Sequence, residues 1–514
     1  MTFLTYVLPA LILLGLCIFV HELGHLLGGV MVGIKARTFS IGYGSGFIKK
    51  KWGDTTYQIT LIPFGGFCSF YGDNPYEELK GESWEFLSAA PWRRIVTVVM
   101  GPVFNLIFGI LLLFVMNLVG FQVESNRIQI PSYLAEENSP AYGAGLRTGD
   151  RIIRINGSMI QSFQDLQSKI VFSDGKPLDI TVLRDGAERE FTVEPAQFRD
   201  GGHYSIGVMP YGESILVTNV LDGGAGAEAG LRQYDEVLSI DGTRIRTTEQ
   251  FVDTIRQSPG KTLTFTVQRK DETHTVDVTP HLGEEITVTG FQDPRFPDST
   301  YTIEIDRLAL IKEAIADGTV SINGTTVRSF EEFIAMIEDA AEAGHSITLE
   351  NRSGVYSGIF RYDTYGSIGV ELALAPEMVA VQYGPGRALV RAVRDPIDFV
   401  GMNLKGIGMM ITGKIDAREN LSGPVRIAKI AGDTMRYRGV RDYVLLMARI
   451  SIILMVMNLL PIPAVDGSHI IIYLVEMARG KPVPPAVLEK IQLVGFFIII
   501  ALGVFALWND ITQL

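Results

Sequence analysis

Residues 19–29 read Phe-Val-His-Glu-Leu-Gly-His-Leu-Leu-Gly-Gly, within an apolar segment that runs from Phe3 to Ile34. An HExxH motif on a helix places two imidazoles on one face, where both can bind one zinc ion, and the glutamate between them can act as a general base. The segment is long enough to span a bilayer, and its only acidic or basic side chains are His21, Glu22 and His25. Such groups are costly inside a membrane, so they indicate function. The motif therefore predicts a zinc site in a spanning helix.

The composition combines apolar and acidic character. The chain has 514 residues and a net charge of −12, yet its mean hydropathy is +0.23. This combination indicates membrane helices joined to an acidic water-soluble part, and it argues against nucleic acid as a partner. The two cysteines, Cys17 and Cys68, do not provide a disulfide framework.

Four segments are long and apolar enough to span a bilayer: Phe3–Ile34, Ile95–Gly120, Tyr443–Leu460 and Ile491–Leu507. The first has no basic region before it and no small-x-small cleavage site at its end, so we expect a retained helix rather than a signal peptide. Lysine and arginine are concentrated in the loop between the first two segments and in the loop between the last two. The positive-inside rule then places both loops in the cytoplasm and both termini outside, although arginines just before the third segment argue weakly the other way.

An internal repeat follows the second segment. Ile155-Asn156-Gly157, Ile240-Asp241-Gly242 and Ile322-Asn323-Gly324 each follow a strand-like run, and each precedes a short helical pattern and an alternating strand. The first two repeats also begin alike, with Ala-Gly-Leu-Arg at 144–147 and again at 229–232. They resemble circularly permuted bacterial PDZ domains, whereas the third repeat keeps only the second half of the pattern.

Two short segments resemble the loops with which PDZ domains bind a peptide carboxylate. They are Ser205-Ile206-Gly207-Val208 and Ser367-Ile368-Gly369-Val370. On this resemblance, Ser205, Ile206, Gly207 and Val208 are candidate peptide-binding residues. The alternative is that these are ordinary turns of small β-rich modules.

Two histidines leave a catalytic zinc in need of a third protein ligand, and the best candidate lies far along the chain. The segment from Asn458 to Gly467 reads Asn-Leu-Leu-Pro-Ile-Pro-Ala-Val-Asp-Gly. Its prolines forbid a regular helix, and irregular backbone at membrane depth is tolerated where it lines a cavity. Asp466 is the candidate ligand, and His469 is its rival.

The pairing of HExxH in a first membrane helix with Asn-x-x-Pro-x-Pro-x-x-Asp-Gly in a later one resembles the site-2 protease family of intramembrane zinc metalloproteases. The exported repeats resemble its bacterial regulatory members, and the resemblance covers nearly the whole chain. Further matching segments lie at 39–43, 61–67, 101–105, 382–385, 421–424 and 507–510. The chain departs from the family pattern at Val465 and Ser468, where Leu and Gly are usual.

The resemblance implies a role for each motif. His21, His25 and Asp466 would bind Zn²⁺ and Glu22 would act as the base. Asn458 would hydrogen-bond the substrate backbone. The other candidate substrate-binding residues are Pro461, Pro463, Gly65 and Gly66. Because a membrane helix must be unwound before hydrolysis, the alternating run Thr55–Leu61 and the loop after it could pair with the substrate as an added strand; a simple re-entrant loop is equally compatible. Asn105 is expected to hydrogen-bond a neighbouring helix.

The predicted fold is a polytopic α-helical membrane protein of about four transmembrane helices, with a membrane-associated β-hairpin or loop and tandem extracytoplasmic PDZ-like α+β domains. The expected segments are a first membrane helix at 1–34, a β-rich re-entrant loop at 35–92, a second helix at 93–120, PDZ-like domains at 127–200 and 204–284, a degenerate PDZ-like repeat at 285–375, an amphipathic segment at 376–440, a third helix at 443–467, and a fourth helix with the tail at 489–510.

The predicted activity is zinc endopeptidase cleavage of a single-span membrane protein in the bacterial inner membrane. The implied substrate class is an anti-sigma factor that an upstream site-1-type protease has already trimmed, and the implied setting is an envelope stress response. The PDZ-like repeats would filter substrates by size or bind the trimmed end. One alternative is a membrane-anchored PDZ scaffold with a vestigial metal site, which the intact Glu22 opposes. Another is a membrane metalloprotease with a cytosolic catalytic domain, which would place the motif outside the apolar helix.

Overall fold

The computed structural model describes residues 3–74, 76–131, 139–197, 203–269, 272–292, 300–305, 308–343, 345–351, 354–413 and 423–513. The chain forms two compact units, one made of Met1–Pro210 with Met378–Leu514 and the other of Tyr211–Glu377. The first unit contains the apolar helices and the predicted metal site.

The part of the chain that the structure describes contains four helices that could span a membrane, as many as the sequence predicts. Within the described residues, four helices are long and apolar enough to cross a membrane, with spans at Leu4–Met31, Pro91–Val119, Val440–Leu459 and Ala486–Thr512. The helices are α1 (Leu8–Met31, after a π-helical turn at Phe3–Val7), α2 (Pro91–Val119), α11 (Val440–Leu459) and α13 (Pro485–Gln513).

Helices α1 and α2 approach each other closely because glycines line their contact. A methyl group on Gly24 would lie 2.2 Å from the carbonyl oxygen of Met100, and one on Gly28 would lie 2.8 Å from the Met100 Cβ. Since any side chain at these two positions would separate the helices, the glycines hold the HExxH segment of α1 directly against α2.

A long antiparallel hairpin follows α1. Its strands are β1 (Ala36–Trp52) and β2 (Thr55–Phe70), and several register shifts interrupt their pairing. Phe39 and Phe70 are buried in a core that also includes Leu26 of α1. The hairpin is therefore packed against the helix that carries the motif.

Module 1, the first repeat, belongs to the same unit as the helices. Its helices are α3 (Pro140–Gly143) and α4 (Phe163–Val171). The strands of this region are β3 (Phe121–Glu124), β4 (Ile128–Gln129), β5 (Arg151–Ile155), β6 (Ser158–Met159), β7 (Leu178–Arg184), β8 (Ala187–Val193), β9 (Ala196–Gln197), β10 (Tyr204–Ser205) and β11 (Met209–Pro210). Four of them form a sheet in the order β6-β5-β7-β8, and β4 pairs with β11.

Module 2, the second repeat, has helices α5 (Ala225–Ala229) and α6 (Thr248–Arg256). Its strands are β12 (Ser214–Val220), β13 (Glu236–Ile240), β14 (Thr243–Arg244), β15 (Leu263–Arg269), β16 (Glu272–Val278) and β23 (Val370–Ala375). The sheet order is β16-β15-β13-β12-β23, with β14 beside β13. The last strand thus comes from more than ninety residues beyond β16 and closes the edge beside β12.

The third repeat is inserted into module 2. Its helices are α7 (Leu308–Ala316) and α8 (Phe330–Glu342). Its strands are β17 (His281–Gln292), β18 (Thr300–Ile305), β19 (Ser321–Ile322), β20 (Thr325–Thr326), β21 (Ile347–Asn351) and β22 (Gly354–Ser367), in the order β18-β17-β22-β21-β19-β20. A buried core centred on Phe333 and Phe360 supports it.

Two domain boundaries differ from the predicted ones. Ile206 is fully buried in the core of module 1, so the segment 204–210 completes that module instead of opening the next; residue 200, the predicted end, lies outside the described residues. Module 2 does not end at 284, because Ile368 is buried in its core and β23 pairs with β12. The 285–375 segment is accordingly an insertion with the final strand of module 2 at its end. The physical reason is that strand pairing across a long insertion leaves no local sequence signal.

The remaining elements return to the membrane helices. They are β24 (Met378–Val381), α9 (Pro385–Ile411), α10 (Pro424–Asp433, followed by a π-helical turn at Thr434–Arg438) and α12 (Asp466–Arg479). Strand β24 pairs with β3, the strand that follows α2. Helix α12 begins at the predicted metal ligand Asp466.

Candidate metal centre

The two histidines of the motif converge on one point. His21 Nε2 lies 3.1 Å from His25 Nε2, and the two rings are edge-on with centroids 4.7 Å apart. This is the consequence of a four-residue spacing on a continuous helix. His21 and Gly24 are buried, whereas Glu22 and His25 are partly buried.

Asp466 completes the group from another helix. Its Oδ2 lies 3.1 Å from His21 Nε2 and 3.5 Å from His25 Nε2. Ligands bound tetrahedrally to zinc at about 2.0–2.1 Å are about 3.3 Å apart, so the three atoms are spaced like one face of a zinc coordination tetrahedron. Among the described residues, this is the group of histidine, cysteine and acidic side chains compact enough to hold a metal ion, and it does not include His469. The residues fit zinc with a fourth position left for water or substrate.

The other nitrogen of each imidazole faces α2. His25 Nδ1 lies 3.0 Å from the backbone carbonyl oxygen of Thr97, and His21 Nδ1 lies 3.2 Å from the side-chain amide of Asn105. A carbonyl oxygen accepts, so His25 carries its proton on Nδ1 and presents a free lone pair on Nε2. The Asn105 atom that faces His21 Nδ1 is the amide nitrogen; rotating the amide by about 180° replaces it with the oxygen, which gives His21 the same tautomer as His25. These contacts orient both rings toward the metal position.

Asn105 connects three helices. Besides its contact with His21 of α1, it receives the Ser451 hydroxyl of α11 on its backbone oxygen, at 2.9 Å. Asn105 was predicted to hydrogen-bond a neighbouring helix, but its position beside the metal group was not predicted. The available signal was an asparagine in the apolar part of α2, shortly after the Gly101-Pro102 step.

Gly101 brings the backbone of α2 against both imidazoles. A methyl group there would lie 2.5 Å from His25 Cε1 and Nε2, and 3.0 Å from His21 Cε1. Sequence reasoning found this residue only as part of a matching segment. The close approach explains why that position carries no side chain.

The loop before α12 places Asp466. Helix α11 ends at Leu459, with Leu460 as its C-terminal cap, and Ala464 adopts a positive φ of 74° two residues before the aspartate. The Ser468 hydroxyl donates to the Val465 carbonyl oxygen at 2.8 Å, so this departure from the family pattern contributes a hydrogen bond to the turn. A methyl group on Gly467 would lie 2.2 Å from the Leu460 carbonyl oxygen. The loop is therefore folded tightly against the start of α12.

The hairpin passes beside Glu22. A methyl group on Gly66 would lie 3.4 Å from Glu22 Cγ and 2.8 Å from the Ser40 carbonyl oxygen. Gly65 has a φ of 88°, which favours glycine, and a methyl group there would meet the Tyr43 ring at 2.3 Å. Both predicted glycines thus sit where β2 meets the HExxH helix.

The remaining predicted residues lie at several places. Asn458 is partly buried in the last turn of α11, and Pro461 is exposed in the loop after it. Pro463 packs against α13, since a methyl group on Gly495 would lie 2.3 Å from the Pro463 carbonyl oxygen. Ser205, Ile206, Gly207 and Val208 belong to module 1, where the Ser139 hydroxyl is 3.2 Å from the carbonyl oxygens of Ile206 and Gly207. Of the matching segment 421–424, residues 421 and 422 lie outside the described residues.

An HExxH helix that meets a distant carboxylate among apolar helices defines a membrane metallohydrolase. The family model described as "Peptidase family M50" matches residues 9–502. The chain belongs to this family and is a zinc metalloprotease. The match confirms the resemblance to site-2 proteases.

Several curated relatives match along their whole length. The chain is 27% identical to "Putative zinc metalloprotease" of Neisseria meningitidis, covering 100% of this chain and 99% of that protein. It is 26% identical to "Regulator of sigma-E protease RseP" of Escherichia coli, covering 100% of each. Among solved structures, the PDZ domain of an SdrC-like protein from Listeria monocytogenes matches 20% of this chain and 95% of that domain, at 20% identity and a TM-score of 0.13.

Proposed function

We propose that this protein is an intramembrane zinc endopeptidase that cleaves a single-span membrane protein. The observation that carries the proposal is the convergence of His21, His25 and Asp466 within a set of four apolar helices. A site at this position has access to peptide bonds that other proteases cannot reach, because those bonds lie in or beside the bilayer.

His21, His25 and Asp466 would hold the metal. Zinc, when bound, polarises both water and the scissile carbonyl group. The Glu22 carboxylate would take a proton from the attacking water and deliver it to the leaving amine nitrogen. Its position fits that role, because the Glu22 side chain lies between the two histidines in sequence and beside Gly66 of β2. A site with only a structural metal has no need of such a base, which opposes the scaffold alternative.

The substrate helix has to be unwound locally, since its carbonyl groups are hidden in intrahelical hydrogen bonds. Strand β2 is suited to receive the unwound segment because it runs past Glu22 at Gly66. We propose that the substrate pairs with this part of the hairpin as an added strand, with Gly65 and Gly66 leaving room for its backbone. Asn458 would hydrogen-bond the substrate backbone, and Pro461 and Pro463 would keep the loop beside it non-helical.

The biological setting is proposed from the relatives. Proteins of 26% identity over the full length are named regulators of sigma-E protease in Escherichia coli and Salmonella typhimurium. The substrate would then be an anti-sigma factor already trimmed by another protease, in the inner membrane of a bacterium, with the termini and modules 1 and 2 outside the cytoplasm. The modules would exclude untrimmed substrates; recruitment of the trimmed end through Ser205–Val208 is the alternative.

The test is co-expression with single-span anti-sigma factors of the host, supplied in trimmed and untrimmed forms. We expect the trimmed form to be cut within its membrane segment, as located by mass spectrometry, and the Glu22→Gln variant to leave it intact. Cleavage that is unaffected by Glu22→Gln, or that maps far from the membrane segment, would contradict the proposal.

A further inference from the structure

We infer that the ion pair between Arg94 of α2 and Glu476 of α12 positions the third zinc ligand. The inference rests on the proposed roles of His21, His25 and Asp466, and it assigns a task to two charged residues that take no part in the proposed chemistry. It makes both of them positioning residues for Asp466.

The pair is buried, and its charged atoms are close together. Arg94 Nη2 lies 2.7 Å from Glu476 Oε2, and the two side chains are 5% and 4% exposed. Arg94 Nε donates to the Ala89 carbonyl oxygen at 3.1 Å, while Glu476 Oε1 accepts the Val483 backbone N–H at 3.0 Å. Each partner is thus anchored to backbone on its own side, so the pair fixes the two helices in one relative position.

The same α2 helix holds the other two ligands. Thr97 and Asn105 contact the Nδ1 atoms of His25 and His21, and Arg94 lies one turn before Thr97. Helix α2 therefore contacts the supports of all three proposed ligands. It contacts the rings of His21 and His25 directly, and it contacts Asp466 indirectly, through the ion pair with α12.

Helix α12 is long enough to connect the ion pair at Glu476 mechanically to Asp466. The helix has 14 residues, with Asp466 first, and Glu476 follows ten positions later, about 15 Å along the axis. A shift or rotation of α12 at Glu476 moves Asp466 as well, because a helix of this length behaves as a rigid rod. At its start, α12 is preceded by the proline-containing loop with Ala464 at positive φ.

Aromatic packing extends the contact to the hairpin. The Arg94 guanidinium lies over the Tyr473 ring at 4.7 Å. Tyr473 meets Phe86 edge-on at 6.1 Å, and Phe86 stacks on Phe70 of β2 at 5.4 Å. The cluster thus links α12 to the strand that passes Glu22, so ligand and base are held by one assembly.

The effect of the ion pair on the position of Asp466 can be separated from its effect on the stability of the protein. Removing one partner of a buried ion pair leaves an unpaired charge and destabilises the protein, whereas replacing both by apolar residues is often neutral or stabilising. Apolar side chains do not reproduce the directional contact. A double apolar variant therefore restores stability without restoring the position of Asp466.

The experiment uses the full chain, purified with zinc, in Glu476→Gln and Arg94→Met/Glu476→Leu forms. Zinc loss to an excess of chelator is followed at a temperature where each protein is folded, together with the unfolding temperature and the kcat and KM for a trimmed substrate. We expect Glu476→Gln to lose zinc about tenfold faster, the scale of losses seen for groups that support metal ligands, with a lower kcat and little change in KM. The double variant should regain the wild-type unfolding temperature but not the wild-type zinc retention.

Arg479→Met is the matched control, because Arg479 is an exposed charge on the same helix; it should retain zinc like the wild type. Wild-type zinc retention in Glu476→Gln, or recovery of both properties in the double variant, would overturn the inference, as would failure of both variants to fold. Asp466→Ala distinguishes failure of the proposed metal site from failure of the positioning role. If Asp466→Ala retains zinc, the proposed metal site is wrong. If Asp466→Ala loses zinc while Glu476→Gln retains it, the metal site is supported and only the positioning role is wrong.

Discussion

Glu22 is the residue whose role is easiest to isolate, because it adjoins the metal group without belonging to it. Glu22→Gln keeps the size of the side chain but cannot take a proton from water. We expect the variant to retain about one zinc per chain and to lose about 10² to 10⁴ in rate, the usual contribution of a general base. Metal analysis and cleavage of a trimmed substrate check this together; activity within about tenfold of wild type would mean that another group is the base.

Asp466 and His469 make a matched pair for the third ligand. The Asp466 carboxylate lies 3.1 Å and 3.5 Å from the two histidine nitrogens, whereas His469 packs near Tyr473 with ring centroids 6.1 Å apart. Asp466→Ala should therefore lose zinc on dialysis, while His469→Ala should keep it. The reverse pattern, measured by metal content of the purified proteins, would assign the third ligand to His469.

Gly101 tests the close contact between α2 and the metal group. In Gly101→Ala the new methyl group would lie 2.5 Å from His25, so the rings have to move and zinc binding should weaken with loss of activity. Gly15→Ala in α1 is the control, since a methyl group there meets no atom within 4 Å. Equal zinc affinity in the two variants would show that the site tolerates the displacement.

At the scale of elements, modules 1 and 2 repeat one buried ion pair. Arg184 of β7 binds both carboxylate oxygens of Asp150 at 2.6 Å, and Arg269 of β15 binds those of Asp235 at 2.7 and 2.6 Å. Each arginine joins the end of a strand to the turn before another, so the two modules share this contact at equivalent positions.

Because Asp235 is fully buried, Asp235→Asn leaves Arg269 without its charge partner and should destabilise module 2 by about 3–5 kcal/mol. Limited proteolysis and thermal unfolding of the full chain measure this. The exposed Asp277→Asn removes a carboxylate charge but keeps an oxygen that can accept from the Thr264 hydroxyl on the sheet surface, so it should change stability by less than about 0.5 kcal/mol. Similar shifts in both variants would contradict the importance of the buried pair.

Patterns confined to one element were predictable from sequence. The apolar runs predicted the four spans, and HExxH predicted the meeting of His21 and His25, because a helix fixes the geometry of residues four apart. Asp466 was predicted as a ligand from its place after the proline-containing segment, and then from the resemblance to the family motif. Gly101, Thr97 and Arg94 were not predicted as site residues, since their effect depends on how α2 packs against α1 and α12, which no local pattern specifies.

At the scale of the whole molecule, the second unit, 211–377, is suited to removal. Its ends adjoin, since the Glu377 backbone N–H donates to the Tyr211 carbonyl oxygen at 2.7 Å. If this unit helps to exclude large substrates, its deletion should permit cleavage of an untrimmed substrate while zinc content stays unchanged, because every predicted ligand lies in the other unit.

Slower cleavage of the trimmed substrate in the same deletion variant would instead support recruitment. A folded, zinc-loaded deletion variant that still rejects the untrimmed substrate would count against a filter in this unit. The predicted boundaries at 204–284 could not have guided this deletion, because they cut module 2 between β16 and β23, strands on opposite edges of one sheet.

The most direct measurement is anomalous diffraction from crystals of the purified enzyme at the zinc absorption edge. The account predicts one strong peak, about 2.0–2.2 Å from His21 Nε2, His25 Nε2 and an oxygen of Asp466, and its disappearance in Asp466→Ala. A peak at any other group of side chains, or a peak that persists at the two histidines after Asp466 is removed, would contradict the proposed metal centre.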